Sequence, residues 1–151
     1  MNYATVNRAL RAHLLADAEI ASLVEERVCR KIAPSSWFEG SEGRKAYIVF
    51  TRQTTQHEAN CNGPDGIVRA LYEIVAWSRD ADTTDELADA IRRSLQEKYP
   101  MLGNGQFVVQ LVGCTMESDE ELLAEQGEGT QDYYHGVRMP FMLIYHETIG
   151  V

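Results

Sequence analysis

The sequence predicts an α+β fold: a two-layer sandwich in which about four mainly antiparallel strands pack on two helices, in the order helix, strand, strand, helix, strand, strand. Three observations lead there. Residues 67–77 read as one long strand, with Val68, Ala70, Tyr72, Ile74 and Ala76 on a wholly apolar face and Arg69 and Glu73 on a mixed one. That contrast suits an antiparallel sheet with helices on one side. A polar turn at 78–82 then opens an amphipathic helix carrying Leu87, Ile91 and Leu95. Finally, Val6, Leu10, Leu14 and Leu15 recur at helical spacing near the start of the chain.

Taken in order, residues 3–28 read as a helix that loosens near Asp17 and Glu19. Pro34-Ser35-Ser36 and Gly40-Ser41-Glu42-Gly43 mark a connector. Trp37 and Phe38 stand out there, because large rings seldom sit in a solvated loop; they either fold back on the core or meet a partner. Residues 47–51 form a short strand, followed by a long polar excursion over 52–66. An extended hairpin whose tip projects is the simplest connection to the strand at 67. Thr83 reads as the N-cap of the second helix, with Glu86 completing a capping box. Pro100 and Gly103-Asn104-Gly105 stop that helix. Residues 106–116 read as a third strand, with Phe107, Val109 and Leu111 on one face and Val108, Val112 and Cys114 on the other. The stretch 117–132 holds many acids and no basic residue, and reads as a projecting loop. Residues 133–147 form the last strand, where Pro140 predicts an edge position or a nearby bulge.

The 151 residues predict a single domain spanning 1–151. With 23 acidic against 14 basic residues, the net charge of −9 argues against a protein that grips nucleic acid, since that needs clustered cations. Three cysteines, Cys29, Cys61 and Cys114, give no framework of pairs. The N-terminus lacks a signal-peptide layout, and no apolar run reaches the ~20 residues of a membrane span. A cytoplasmic place of synthesis and use follows as the expectation.

No catalytic, cofactor or metal constellation is legible. His13, His57, His135 and His146 lack metal spacing, and His57 with Cys61 has no second ligand pair. Asp80, Asp82, Asp85 and Glu86 crowd a turn without the glycine or closing carboxylate of a calcium loop. The chain therefore reads as a non-enzyme with no cofactor.

Several phrases resemble the tail-completion or tail-terminator proteins of long-tailed bacteriophages. They are Ile20-Ala21-Ser22-Leu23-Val24-Glu25-Glu26-Arg27-Val28, Ala46-Tyr47-Ile48-Val49-Phe50, Leu71-Tyr72-Glu73-Ile74-Val75-Ala76-Trp77-Ser78 with Asp85-Glu86-Leu87-Ala88-Asp89-Ala90-Ile91, and Gly136-Val137-Arg138-Met139-Pro140-Phe141-Met142-Leu143-Ile144-Tyr145. Ala46 stands where the family often has proline, and the acidic stretch is longer than usual. The resemblance implies a structural virion protein: a ring, commonly a hexamer, that caps the tail tube and joins it to the head connector. Its partners would be copies of itself, the tail tube protein and the connector, with DNA passing through the lumen unbound and no membrane involved. Assembly would take place in the host cytoplasm and the mature protein would belong to the virion. Contacts to tube, connector or lumen are expected from Arg52, His57, Glu58, Asp65, Glu117, Asp119, Glu120, Glu121, Glu125 and Glu128, and partner-facing aromatics from Trp37 and Phe38. The alternatives are a head-completion or neck adaptor, a small cytoplasmic ligand-binding or catalytic α+β domain, and a module that binds a peptide along a sheet edge.

Overall fold

A computed structural model describes residues 3–38, 45–60, 63–97, 101–104, 107–116, 118–125 and 133–146. Helices α1 (Tyr3–Ala16) and α2 (Ala18–Val24) open the chain. Strand β1 (Val28–Arg30), a 3-10 turn (Ser35–Phe38), and strands β2 (Tyr47–Asn60) and β3 (Gly63–Ser78) follow. Helix α3 (Ala81–Glu97) then leads to β4 (Met101–Asn104), β5 (Phe107–Met116), β6 (Glu120–Glu125) and β7 (Tyr133–His146).

The predicted four-strand, two-helix sandwich is wrong. Strand residues outnumber helical ones among the described residues, and they build one curled, mixed sheet. Its order is β1-β2-β3-β7-β5-β4, and β6 also pairs with β7. β1 runs parallel to β2, whereas the remaining pairs are antiparallel. Three strands escaped the sequence reading. β1 and β4 have three and four residues, too few to show a period. β6 reads Glu-Glu-Leu-Leu-Ala-Glu, and its acids disguise a strand at the sheet edge, where charge is tolerated.

One face of the sheet carries the core. Ile48 and Phe50 of β2, Val68, Ala70, Tyr72, Ile74 and Ala76 of β3, and Val137, Met139, Phe141, Leu143 and Tyr145 of β7 are all buried. Val6, Leu10 and Leu14 of α1, Ile20 and Val24 of α2, and Leu87, Ile91 and Leu95 of α3 complete the same cluster. Full burial of each such side chain contributes about 1.5–3 kcal/mol.

The predicted single N-terminal helix divides at Asp17, whose carboxylate caps α2 by accepting from the N–H groups of Glu19 and Ile20 at 3.0 and 3.2 Å. The cap of α3 is Asp80, not Thr83. Asp80 accepts from the Thr83 hydroxyl at 2.8 Å and from its N–H at 3.1 Å, and these bonds hold its carboxyl below the usual carboxylate range. The cap therefore lies three residues earlier than the Thr-Glu pattern suggests.

In β5 the predicted alternation fails beyond Leu111. A register shift between Leu111 and Gly113 leaves Val112 exposed and turns Cys114 and Met116 against the core. Pro140 does not mark an edge strand, because β7 is central. On one side of β7, β5 pairs as far as Met116–Phe141 and β6 resumes at Glu120–Arg138. Proline, which lacks an N–H, falls opposite that interruption.

Two buried polar groups tie the layers together. The ring of His13 hydrogen-bonds the Ser94 carbonyl at 2.9 Å, and its other nitrogen accepts from the Gly103 N–H at 3.1 Å, linking α1, α3 and β4. Arg27 donates to the Ala46 carbonyl at 2.9 Å and pairs with Glu25 at 3.2 Å, fixing the passage from α2 into the sheet.

Candidate assembly surfaces

The β2–β3 hairpin is longer than the sheet that supports it. β7 accompanies β3 only from Ile67 to Ser78, and β1 accompanies β2 only from Ile48 to Phe50. Farther out, the two strands pair with each other, ending at Ala59–Pro64 and Asn60–Gly63. They form an arm, and among the described residues the outer edge of β2 beyond Phe50 has no strand neighbour. Arg52 lies opposite Tyr72, half-buried, and His57 lies opposite Val68, exposed. Glu58 belongs to β2 and Asp65 to β3. Irregularities at Arg52/Thr54 and His57/Ala59 interrupt the ladder. Such bulges bend a strand and blunt its edge toward unplanned pairing.

The acidic residues lie at the other side of the sheet. Glu120 and Glu125 bound β6, and Asp119 precedes it. Glu120 pairs with Arg138 at 3.0 Å, and Arg138 is 3.7 Å from Glu73. Glu121 faces α3 across a trough made of two adjoining hollows of ≈ 380 and ≈ 400 Å³. Asp85, Asp89, Asp119 and Glu121 rim it, while Ala88, Met116, Val137 and Met139 supply apolar wall. Arg92 answers Asp89 at 2.6 Å, so the surplus negative charge rests on the other three acids. Glu117 and Glu128 fall outside the described residues.

The sheet face away from the helices carries aromatic side chains. Trp37 is half-buried, its ring 5.9 Å from that of Tyr47, which meets Tyr134 edge-on at 5.6 Å. The Arg79 guanidinium stands 5.5 Å from the Tyr134 ring centre, a cation–π distance. Phe38 ends the 3-10 turn that carries Trp37. The sequence reading missed Ile32. It is 83% exposed between the exposed Lys31 and the half-buried Ala33, at a corner where Lys31 takes φ 71°.

Chemistry beyond contact has little to work with. Among the described residues, no three His, Cys, Asp or Glu side chains converge as a metal ion requires. No described helix is long and apolar enough to cross a membrane. Cys61, the proposed neighbour of His57, lies outside the described residues. Burial pushes the thiols of Cys29 and Cys114 up to about 11. The thiolate is the reactive form, so both should alkylate slowly at pH 8 in the folded protein and gain speed as the pH approaches 11. Iodoacetamide labelling followed by peptide mass analysis checks this. Rates at pH 8 equal to those of the unfolded chain would contradict it.

An arm, an open strand edge and charged edges of opposite location equip a protein to work by contact with other proteins. The comparisons carry the identification further. The family model described as tail completion protein gp17 matches residues 8–135, and the chain belongs to that family. It is a structural protein of a virion tail. The fold is similar to that of a chain in a solved structure described as the virion of a native gene transfer agent particle. The TM-score is 0.63 and the identity 20%, with 96% of this chain and 99% of that chain covered. No curated protein matches the sequence.

Proposed function

We propose that this protein closes the tail tube as a ring, a hexamer, and joins it to the head connector. The observation that carries the reading is the extent of the family match: residues 8–135 include the whole arm and the acidic segment, not the core alone. His57, Glu58 and Asp65 of the arm, with Arg52 in the supported part of β2, make the contacts to the tube or the connector. Glu120 of the acidic segment faces the lumen, whereas Asp119 and Glu121 lie toward the neighbouring copy. An anionic lumen lets DNA slide, because it lacks the cations whose counterion release produces affinity. Trp37 remains with the outer sheet face, where a neighbour covers what Tyr47 leaves open. The protein performs no catalysis in this role. It assembles in the host cytoplasm and stays in the mature particle.

The test adds purified protein to tails that lack it and counts tails joined to heads by negative-stain microscopy. Wild type should cap and join. A variant with residues 58–65 replaced by a two-residue turn should fold normally and fail to join. Joining by that variant at the wild-type level would remove the arm from the proposal, and no capping by wild type would remove the ring.

A further inference from the structure

Two surfaces of this molecule are of opposite charge, and they lie at opposite edges of one sheet. A continuous row of paired residues crosses it: Val28, Ile48, Ala76, Val137 and Glu121, from β1 to β6. The next inward row runs from Arg30 through Phe50 and Ile74 to Met139. The corner Arg30-Lys31-Ile32 and the floor of the acidic trough, Val137 and Met139, are therefore level with one another. Three strand spacings separate the corner from that floor, roughly 14 Å along the sheet. The corner offers an exposed aliphatic knob, Ile32, behind two exposed cations, Arg30 and Lys31. The trough offers an apolar floor behind three exposed acids, Asp85, Asp119 and Glu121.

We infer that the Arg30-Lys31-Ile32 corner of one copy docks into the α3–β6 trough of the next copy. This inference rests on the ring reading and supplies its contact. Because the surfaces differ, the contact is head-to-tail, and a head-to-tail contact closes into a ring where its rotation allows. Like surfaces repel: corner against corner opposes cations, and trough against trough opposes acids. A two-fold dimer through either surface is thereby disfavoured.

Main-chain pairing does not make this contact. Most outward groups of β1 are already bonded from within: the Val28 N–H donates to the Glu26 carbonyl at 2.8 Å, Arg11 donates to the Val28 carbonyl at 3.0 Å, and the Ile32 N–H donates to the Arg30 carbonyl at 2.9 Å. The same bonds, with Lys31 N–H to the Phe50 carbonyl at 3.0 Å, hold the corner in shape before any partner arrives. Side chains do the joining. Nearby Glu25 does not cancel the corner's charge, since Arg27 and Lys45 occupy it.

The test is a charge swap. One full-length variant carries Arg30→Glu with Lys31→Glu, and a second carries Asp85→Lys with Glu121→Lys. All four positions are exposed, and circular dichroism verifies folding. Self-association is read by light scattering and negative stain at low and high salt. Each variant alone should associate at least about tenfold more weakly than wild type, and an equimolar mixture should recover assembly, since both junctions are then of opposite sign. Wild-type association should weaken as salt rises. A second measurement needs no variant. Zero-length carbodiimide coupling of mixed isotope-labelled and unlabelled wild type should join Lys31 to Asp85, Asp119 or Glu121 in mixed labelled–unlabelled pairs, the signature of a link between copies. Rings that persist in both variants would overturn the docking contact and leave the ring reading standing. A wild type that neither associates at any concentration nor yields the intermolecular link would overturn both.

Discussion

Replacing Tyr72 by alanine should lower stability by about 3–5 kcal/mol, the loss typical of a large buried ring. Tyr72 is fully buried at the middle of β3, with the Phe50 ring 6.4 Å away. Its hydroxyl donates to Asn7 Oδ1 of α1 at 2.6 Å. Burial pushes the phenol far above its usual value, so it remains a donor at neutral pH. Tyr72→Phe isolates the polar part. It keeps the ring and orphans the Asn7 oxygen, and should cost about 1–3 kcal/mol. The Asn7 amide nitrogen already has no hydrogen-bond partner among the described residues, so the hydroxyl is what justifies an asparagine here. Pairing Tyr72→Phe with Asn7→Leu should recover much of the loss. Denaturant midpoints at constant m-value are the measurement. A Tyr72→Phe midpoint equal to wild type would mean that the hydroxyl contributes nothing net.

Gly136→Ala is the second large effect, expected at about 1–3 kcal/mol although it adds a single methyl group. Gly136 lies in β7 between Trp77 of β3 and Leu122 of β6. A Cβ there would stand 2.6, 2.7 and 2.9 Å from three carbons of the Trp77 ring. The indole covers the glycine, and a side chain would lift it off the sheet. Gly136→Val should cost more than Gly136→Ala. Trp77→Leu in the same chain should absorb the methyl group, giving a coupling of about 0.5–3 kcal/mol in a double-mutant cycle. Additive losses would show that the ring moves aside freely.

The sequence was most informative where burial is strict. The alternation of Val68 through Ala76, the stripe of α3 and the break at Asp17 follow from side-chain patterning alone, and the structure carries each of them. It was least informative where tertiary context decides. Nothing local distinguishes Asp80 from Thr83 as the cap, because both are good capping residues within three positions. The bulge at Val112 reverses an alternation that reads as regular. β6 looks like a solvated loop because a strand at an edge can keep its acids in water. For the same reason the trough was invisible: Asp85 and Glu121 are 36 positions apart, and only the packing of α3 beside β6 makes them neighbours. The corner at Ile32 leaves one usable signal, an isoleucine directly after two cations and before a proline turn, where no apolar period requires it.

The internal closure of β1 also bears on aggregation. A strand that leaves its outer groups unpaired is a template on which further copies can add without limit. Here Arg11 and the turn at Ile32 occupy most of those groups, which leaves little for a ladder to grow on. Whatever meets it is held by charge and a single aliphatic side chain, a linkage that ions screen and that can form, dissolve and form again until the geometry is correct. An assembly built on such junctions corrects its own errors, whereas one built on an added strand would keep them.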